Sequence, residues 1–264
     1  MGKVVSSDNC SIAYRIDGPV HAPVLLLSNS LGTTMDMWAP QIAAFSQFFK
    51  TVRYDSRGHG GSQVPSGSYT IERLGRDALD LADALEIDSF AFCGLSMGGL
   101  VGQWLAIHHS ARVRALVLAN TAARIGVATN WNRRIETVSS DGTQAIADEV
   151  IARFYSSGFV SANPDLVDDM RHMICAISPK GYGGCCAAIR DADFRDLLSA
   201  VTTPTLVLAA ERDVSTTLAE GRFLHQSISG SRFAQLDAAH LSNVERSNEF
   251  NALVLRFLTE AISH

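Results

Sequence analysis

The sequence predicts an α/β fold, in which a mostly parallel, doubly wound sheet carries a helical cap inserted between two of its strands. Short strands that are apolar on both faces alternate with segments of helical periodicity, which is typical of a parallel sheet covered by helices. Residues 122–199 differ, because they show helical patterns and no strong strand. The length of 264 residues, 47% of them hydrophobic, suffices for one large domain or for one domain with an insertion.

The first elements follow from local patterns of apolar residues. Residues 11–15 alternate as a strand does, and residues 23–28 form a short apolar strand that we expect to be buried on both faces. Residues 37–48 and 71–85 place apolar residues at helical spacing. Between these two helices, the pattern at residues 50–55 predicts another strand, which a glycine-rich loop follows.

The remaining core elements repeat this alternation on both sides of the cap. An apolar run at residues 90–92 precedes a helical pattern at residues 100–107. The elements predicted after them are strands at residues 113–120, 204–210 and 231–236 and a final helix at residues 248–262. We therefore expect residues 1–121 and 200–264 to form the core and residues 122–199 to form the cap. The helical patterns of the cap lie at residues 131–138, 143–154, 164–175 and 181–189.

A serine between two glycines joins the strand at residues 90–92 to the following helix. In Gly94-Leu95-Ser96-Met97-Gly98 one residue separates the serine from each glycine, which is the pattern of a nucleophile elbow. So sharp a turn forces the serine into a strained backbone conformation, and the flanking glycines avoid collisions because they have no Cβ. We therefore predict that Ser96 is a catalytic nucleophile, with the backbone N–H of Met97 as an oxyanion donor at the helix N-terminus.

A serine hydroxyl needs a base, and the base needs a carboxylate to orient it. Active-site groups of open α/β sheets lie at the carboxyl ends of strands, and Asp213 and His240 each follow a predicted strand. The order of Ser96, Asp213 and His240 along the chain is that of this architecture. His59 is the main competing histidine, but its position in the chain is wrong for the base. Asn120 occupies the other place for a triad acid and cannot carry a negative charge.

The second oxyanion donor is expected in the loop after the strand at residues 23–28. Ser28-Asn29 stands where this architecture usually has His-Gly, so the N–H of Ser30 is the predicted donor and that of Leu31 is the alternative. Each donor of this kind contributes on the order of 10²–10³ in rate.

The composition argues against several other classes of protein. A net charge of −5 argues against nucleic acid or an anionic membrane as a partner, and no apolar run is long enough for a transmembrane helix. The first residues contain no apolar signal-peptide region, so we expect no signal peptide. Five cysteines without a paired framework indicate reduced thiols in a cytoplasmic protein. The spacing of the cysteines and histidines indicates no metal site.

Several segments outside the elbow are distinctive. These are Ser28-Asn29-Ser30-Leu31-Gly32-Thr33, Asn120-Thr121-Ala122-Ala123-Arg124-Ile125 and Trp131-Asn132-Arg133-Arg134-Ile135. Together with residues 53–60, 94–99 and 237–243, they make the chain resemble the 3-oxoadipate enol-lactonases of the α/β-hydrolase superfamily over nearly its whole length. The elbow itself is common to many α/β-hydrolases and discriminates less than the three segments do.

The resemblance implies the α/β-hydrolase fold and the hydrolysis of 3-oxoadipate enol-lactone to 3-oxoadipate. This reaction belongs to the β-ketoadipate pathway of aromatic compound degradation. Ser96 would attack the carbonyl of the small-molecule lactone, His240 would transfer the protons, and an acyl-enzyme would form. The reaction needs no cofactor.

The substrate that the resemblance implies also carries a free carboxylate. Burying this carboxylate without a cation is costly, and arginine recognises carboxylates with two hydrogen bonds. Arg124 and Arg134 lie at the start of the expected cap. We therefore expect Arg134 to bind the carboxylate with Trp131 as a pocket wall, and Arg124 is a further candidate for substrate binding.

Two other readings of the sequence stay open. A carboxylesterase or a cofactor-free perhydrolase would share the scaffold, since the fold alone does not determine the substrate. A ligand-binding receptor built on the same scaffold can also retain the triad. The relative activity on the enol-lactone and on neutral esters distinguishes an enol-lactonase from a carboxylesterase or perhydrolase. Slow turnover with tight ligand retention would identify a receptor.

Overall fold

A single sheet of eight strands forms the centre of the protein, in a computed structural model that describes residues 1–262. The strands are β1 (Gly2–Val5), β2 (Ser11–Asp17), β3 (Val24–Ser28), β4 (Lys50–Tyr54), β5 (Phe90–Leu95), β6 (Val113–Ala119), β7 (Thr205–Ala210) and β8 (Arg232–Leu236). Their spatial order is β1-β2-β4-β3-β5-β6-β7-β8. The β1–β2 and β2–β4 pairs are antiparallel, and every pair from β4 onward in this order is parallel. The mostly parallel sheet predicted from the sequence is confirmed.

The apolar strands of the sequence lie in the middle of this sheet. All six residues of β5 and all six of β7 are buried. Because successive side chains of a strand point to opposite faces, complete burial means that both faces of the sheet are covered. The parallel strands also bring their carboxyl ends to one edge, which is where ligands bind in open α/β sheets.

The α-helices of the described residues surround the sheet. They are α1 (Ala39–Phe45), α2 (Ile71–Ala84), α3 (Met97–His108), α4 (Ala128–Asp141), α5 (Ala147–Phe154), α6 (Ser157–Ala162), α7 (Pro164–Ala176), α8 (Pro179–Asp191), α9 (Leu218–Ser227), α10 (Ser242–Glu245) and α11 (Ser247–Ile262). Side-chain caps determine where some of these helices begin. At the start of α2, the Thr70 hydroxyl accepts a hydrogen bond from the Arg73 N–H at 3.0 Å. Within residues 1–262, no helix is long and apolar enough to cross a membrane.

Three short elements differ from the sequence prediction. Strand β1 was not predicted, because its residues are half-buried or exposed and give no apolar strand pattern. Residues 37–48 do not form one helix: a 3₁₀ turn at Met35–Trp38 precedes α1, which starts anew with Pro40 in its first turn. Helix α6 has only six residues, too few for a detectable period.

Helices α4 to α8 lie between β6 and β7 in the chain, and no described residue between these strands belongs to the sheet. α4 packs on α8, and α8 reaches the loop that follows β4. A Cβ on Gly181 would lie 2.1 Å from the carbonyl oxygen of Gly58, so only glycines allow this approach. The segment is thus seated directly on the core. Its boundaries as a cap, residues 122–199, stay a prediction.

Candidate active site

Ser96 lies in a tight turn between β5 and α3. Its φ of 59° and ψ of −113° are strained for a residue other than glycine. A Cβ on Gly94 would lie 2.0 Å from the carbonyl oxygen of Gly98, and a Cβ on Gly98 would lie 2.2 Å from that of Ser28. Both glycines are therefore required by close backbone packing. The turn has the geometry expected of a nucleophile elbow and places Ser96 at the carboxyl edge of the sheet.

Asp213 and His240 meet at the same edge, as their positions after β7 and β8 predict. The Nδ1 atom of His240 lies 2.8 Å from Oδ2 of Asp213, and both side chains are buried. The ring of Phe154 stacks on the His240 ring, with the centroids 5.9 Å apart and the planes 19° apart. Ser96 and His240 line one cavity. The structure thus brings the three predicted catalytic residues together.

The Asp213 carboxylate accepts hydrogen bonds from several further donors. The backbone N–H groups of Ser215 and Thr216 and the Thr216 hydroxyl donate to it over 2.8–3.0 Å. Burial raises the pKa of Asp213, but His240 and these donors lower it by more, so the pKa lies below its ordinary value. Asp213 therefore stays ionised and can orient His240 and stabilise it in the protonated form.

Asn120 has a role that the sequence reasoning missed. It follows β6 with a φ of 43°, and its side-chain amide donates to Asp213 at 3.0 Å. The Ser242 hydroxyl donates to the other end of the Asn120 side chain at 2.5 Å. Asn120 thus occupies the alternative position for a triad acid, and its amide helps to orient Asp213. Its position at the end of a parallel strand is the sequence signal that could have pointed to this role.

The loop after β3 lines the cavity next to Ser96. Ser30 and Leu31 are both among the lining residues. The Ser30 N–H donates to the thioether sulfur of Met37 at 3.3 Å. Sulfur of this type is a weak acceptor, so a developing oxyanion would compete well for this N–H. The assignment of Ser30 and Met97 as oxyanion donors, with Leu31 as the alternative to Ser30, stays a prediction.

His59 does not line the cavity but holds the loop after β3. Its Nε2 accepts from the Gly32 N–H at 3.2 Å, and its Nδ1 lies 3.3 Å from the carbonyl oxygen of Arg57. This pairing places the ring proton on Nδ1, where it is donated to Arg57. Burial lowers the pKa of His59 to about 4, so the ring is neutral near pH 7. His59, the competing histidine of the sequence analysis, therefore holds the loop after β3 in place.

The cavity over Ser96 has a volume of about 450 Å³, and residues 125–189 contribute part of its wall. Three arginines (Arg133, Arg134 and Arg153) and a single glutamate, Glu149, supply the acidic and basic side chains of this lining, apart from His240. The excess of positive charge favours an anionic ligand.

Arg134 and Trp131 lie together in this wall. The Arg134 side chain is only 12% exposed, contacts Glu149 at 2.9 Å and lies 5.5 Å from the centre of the Trp131 ring. The Tyr182 hydroxyl is 3.4 Å from the same guanidinium. A buried cation held by an aromatic ring and a shared carboxylate is suited to exchanging that carboxylate for one on a ligand.

Two further arginines between β6 and β7, Arg124 and Arg153, differ from what the sequence analysis expected. Arg124 does not line the cavity; its side chain is 39% exposed and faces Asp193 at 3.8 Å. Arg153, which no sequence pattern marked, lines the cavity and shares Glu149 with Arg134. Burial and the nearby Arg134 lower the pKa of Arg153. Arg134 and Arg153 therefore share a single acidic side chain, and Arg133 adds a third cation to the lining.

Comparisons with known proteins agree with this geometry. A family model described as the alpha/beta hydrolase fold matches residues 23–247. The chain is 41% identical over 250 residues to 3-oxoadipate enol-lactonase 2 of Acinetobacter baylyi, covering 95% of this chain and 94% of that protein. It is 39% identical over 240 residues to 3-oxoadipate enol-lactonase 1 of the same organism, covering 91% of this chain and 90% of that protein.

A solved structure is similarly close. The enol-lactonase from Burkholderia xenovorans LB400 superposes with a TM-score of 0.96 at 43% identity, covering 98% of this chain and 100% of that one. The similarity thus extends over the core and over the helices between β6 and β7.

Proposed function

The chain belongs to the 3-oxoadipate enol-lactonases of the α/β-hydrolase family, and from this membership we propose that it hydrolyses 3-oxoadipate enol-lactone to 3-oxoadipate. It is an ester hydrolase. The observation that carries the proposal is the cavity that Ser96 and His240 line together with Arg134. Such a site offers a nucleophile for a lactone carbonyl and a cation for the carboxylate of the same molecule.

Acylation begins at the Ser96 hydroxyl. His240 removes its proton while the oxygen attacks the lactone carbonyl, and the backbone N–H groups of Met97 and Ser30 stabilise the resulting oxyanion. Asp213, ionised and hydrogen-bonded to Nδ1, stabilises the imidazolium that forms. The tetrahedral intermediate then collapses with cleavage of the ring C–O bond, and the acyl group stays on Ser96.

The leaving group of this step is an enolate oxygen that belongs to the same molecule. It receives the proton from His240 and becomes an enol, which isomerises to the more stable ketone. Because the ketone is a poor nucleophile, the ring does not close again. Water activated by His240 then cleaves the acyl-enzyme and regenerates Ser96 with release of 3-oxoadipate.

We propose Arg134 as the group that binds the free carboxylate of the substrate. Its low exposure and its contact with Glu149 support this role, since the ligand carboxylate would replace an interaction already present. An Arg134→Ala substitution should raise KM about tenfold or more, because hydrogen bonds to charged groups contribute about 1.5–3 kcal/mol. The matched control is Arg124→Ala, outside the cavity, which should leave KM unchanged. An unchanged KM in Arg134→Ala would rule this role out.

The test of the proposed function is the ratio of kcat/KM for freshly generated enol-lactone to that for neutral p-nitrophenyl esters. We expect the enol-lactone to be preferred, and we expect Arg134→Ala to reduce the preference. A preference for the neutral ester would instead assign the protein to the carboxylesterases or perhydrolases. Slow turnover with tight retention of the ligand would identify a receptor.

Two further proposals concern the organisation of the protein. Residues 122–199 act as a cap, which the contribution of Trp131, Arg134 and Tyr182 to the cavity wall supports. The protein works in the cytoplasm as part of the β-ketoadipate pathway. Its five free cysteines, four of them buried, support a reducing compartment.

A further inference from the structure

The carboxylate of Glu245, in the short helix α10, joins two segments that are distant in the chain. Ser156, between α5 and α6, donates to it through its backbone N–H at 3.2 Å and through its hydroxyl at 2.5 Å. The backbone N–H of Ala239 donates to the same carboxylate at 3.0 Å. Ala239 immediately precedes His240, so Glu245 ties the end of cap helix α5 to the loop of the proposed catalytic base.

Two further backbone contacts and a ring contact lie beside this carboxylate. The His240 N–H donates to the carbonyl oxygen of Arg153 at 3.4 Å, and the Leu241 N–H donates to that of Phe154 at 3.0 Å. The Phe154 ring stacks on the His240 ring. Each residue of the run Ala239-His240-Leu241 is therefore held through α5 or through the carboxylate that binds the end of α5.

These contacts complement the Asp213 hydrogen bond. Asp213 holds Nδ1 of His240, which is one point on the ring. The position of Nε2, the atom that must reach the Ser96 hydroxyl, depends also on the tilt of the ring and on the backbone of residue 240. Phe154 stacks on the ring, the carbonyl groups of Arg153 and Phe154 hold the backbone of His240 and Leu241, and Glu245 holds the backbone just before them. Glu245 does not line the cavity, so any effect it has on the reaction is indirect.

We propose that Glu245 is a positioning residue for His240, which it holds by binding both the loop before His240 and the end of the cap at Ser156. The inference rests on the proposed function only in taking His240 as the base. The cap thereby serves two purposes, since the same helix α5 carries Arg153 and Glu149 in the cavity wall and fixes the base through its C-terminal end.

The test compares Glu245→Ala and Ser156→Ala with matched controls nearby. Glu245→Ala removes the acceptor of all three hydrogen bonds, whereas a glutamine could keep them, since its oxygen could accept from both backbone N–H groups while its NH₂ donated to the Ser156 hydroxyl. Ser156→Ala keeps the carboxylate and removes two bonds of the hydroxyl, the one to Glu245 and the N-cap bond from the Phe159 N–H. The controls are Glu249→Ala, on the exposed side of α11, and Ser157→Ala, exposed at the start of α6.

We expect Glu245→Ala to lower kcat about tenfold to a hundredfold with KM within threefold, because small displacements of a catalytic group are costly. Ser156→Ala should lower kcat less, by about threefold. In Glu245→Ala the downfield proton resonance of His240 Nδ1–H should also move or broaden. Both controls should match the wild type in kcat, KM and this resonance.

A purely structural role gives a different result. If Glu245→Ala and Ser156→Ala lower only the melting temperature, and kcat and the His240 resonance match those of the controls, the inference is wrong. Should Glu245→Ala not fold, Ser156→Ala carries the test, and an unchanged kcat and resonance in that variant overturns it.

The resonance is measured without substrate, and kcat can be measured on p-nitrophenyl acetate. Failure of the enol-lactone assignment would therefore leave this test intact, and the two failures are distinguishable.

Discussion

His59 offers a test of how the loop after β3, which contains the proposed oxyanion donor Ser30, is held. Its Nε2 accepts from the Gly32 N–H, and only the neutral ring can do so. In the unfolded chain this histidine becomes protonated at its ordinary pKa of 6.5. In the folded protein burial lowers the pKa to about 4, so protonation there requires a lower pH. Between these two pKa values the unfolded state binds more protons, so the free energy of unfolding falls as the pH falls from about 6.5 to about 4.

The magnitude follows from the displacement of the pKa. A fall from 6.5 to about 4, at about 1.4 kcal/mol for each pKa unit, corresponds to about 3 kcal/mol of stability that is present at pH 7 and lost by pH 4. The ring is fully buried, so water screens little of this effect. The matched variant is His59→Gln, whose side-chain oxygen can still accept from Gly32 but does not titrate.

The assay is urea unfolding of the wild type and of His59→Gln at pH 7 and at pH 4. Other groups that titrate in this range contribute to both proteins and cancel in the comparison. We expect the wild type to lose about 3 kcal/mol more than the variant over this interval. Equal losses in the two proteins would show that His59 is not a buried neutral acceptor and would refute the reasoning.

Two further changes test single contacts of the site. Gly98→Ala would place a Cβ 2.2 Å from the Ser28 carbonyl oxygen, so we expect a large fall in melting temperature. The control is Gly158→Ala, whose Cβ would meet nothing within 4 Å. Equal melting temperatures in the two variants would contradict the account. Asn120→Gly tolerates the positive φ but removes a donor to Asp213, so kcat should fall about tenfold with KM little changed. A kcat equal to that of the wild type would exclude a role for this donor.

The core and the candidate triad could be predicted because their signals are local. Apolar strands such as β5 can be recognised from their run of apolar residues, and Ser96 lies between glycines that the turn itself requires. Asp213 and His240 follow from a rule about strand ends, which needs no knowledge of side-chain contacts. The structure places these three residues as that rule expects.

The supporting groups could not be predicted, because they depend on contacts between distant segments. Asn120 reaches Asp213 across 93 residues, and Ser156 reaches Glu245 across 89. Arg153 belongs to an amphipathic helix like many others, and only the docking of the cap turns it toward the cavity. Arg124 lies near Arg134 in the sequence, yet it does not line the cavity, and its side chain lies beside Asp193 instead.

The central claim is that Ser96 attacks the lactone carbonyl and carries the acyl group. Rapid mixing of the protein with freshly generated enol-lactone, acid quenching and mass spectrometry of the digested protein test it directly. The account predicts a transient mass increase equal to one lactone molecule on the peptide that contains Ser96, and no turnover in Ser96→Ala. Turnover without any acylated Ser96, or undiminished turnover in Ser96→Ala, would contradict it.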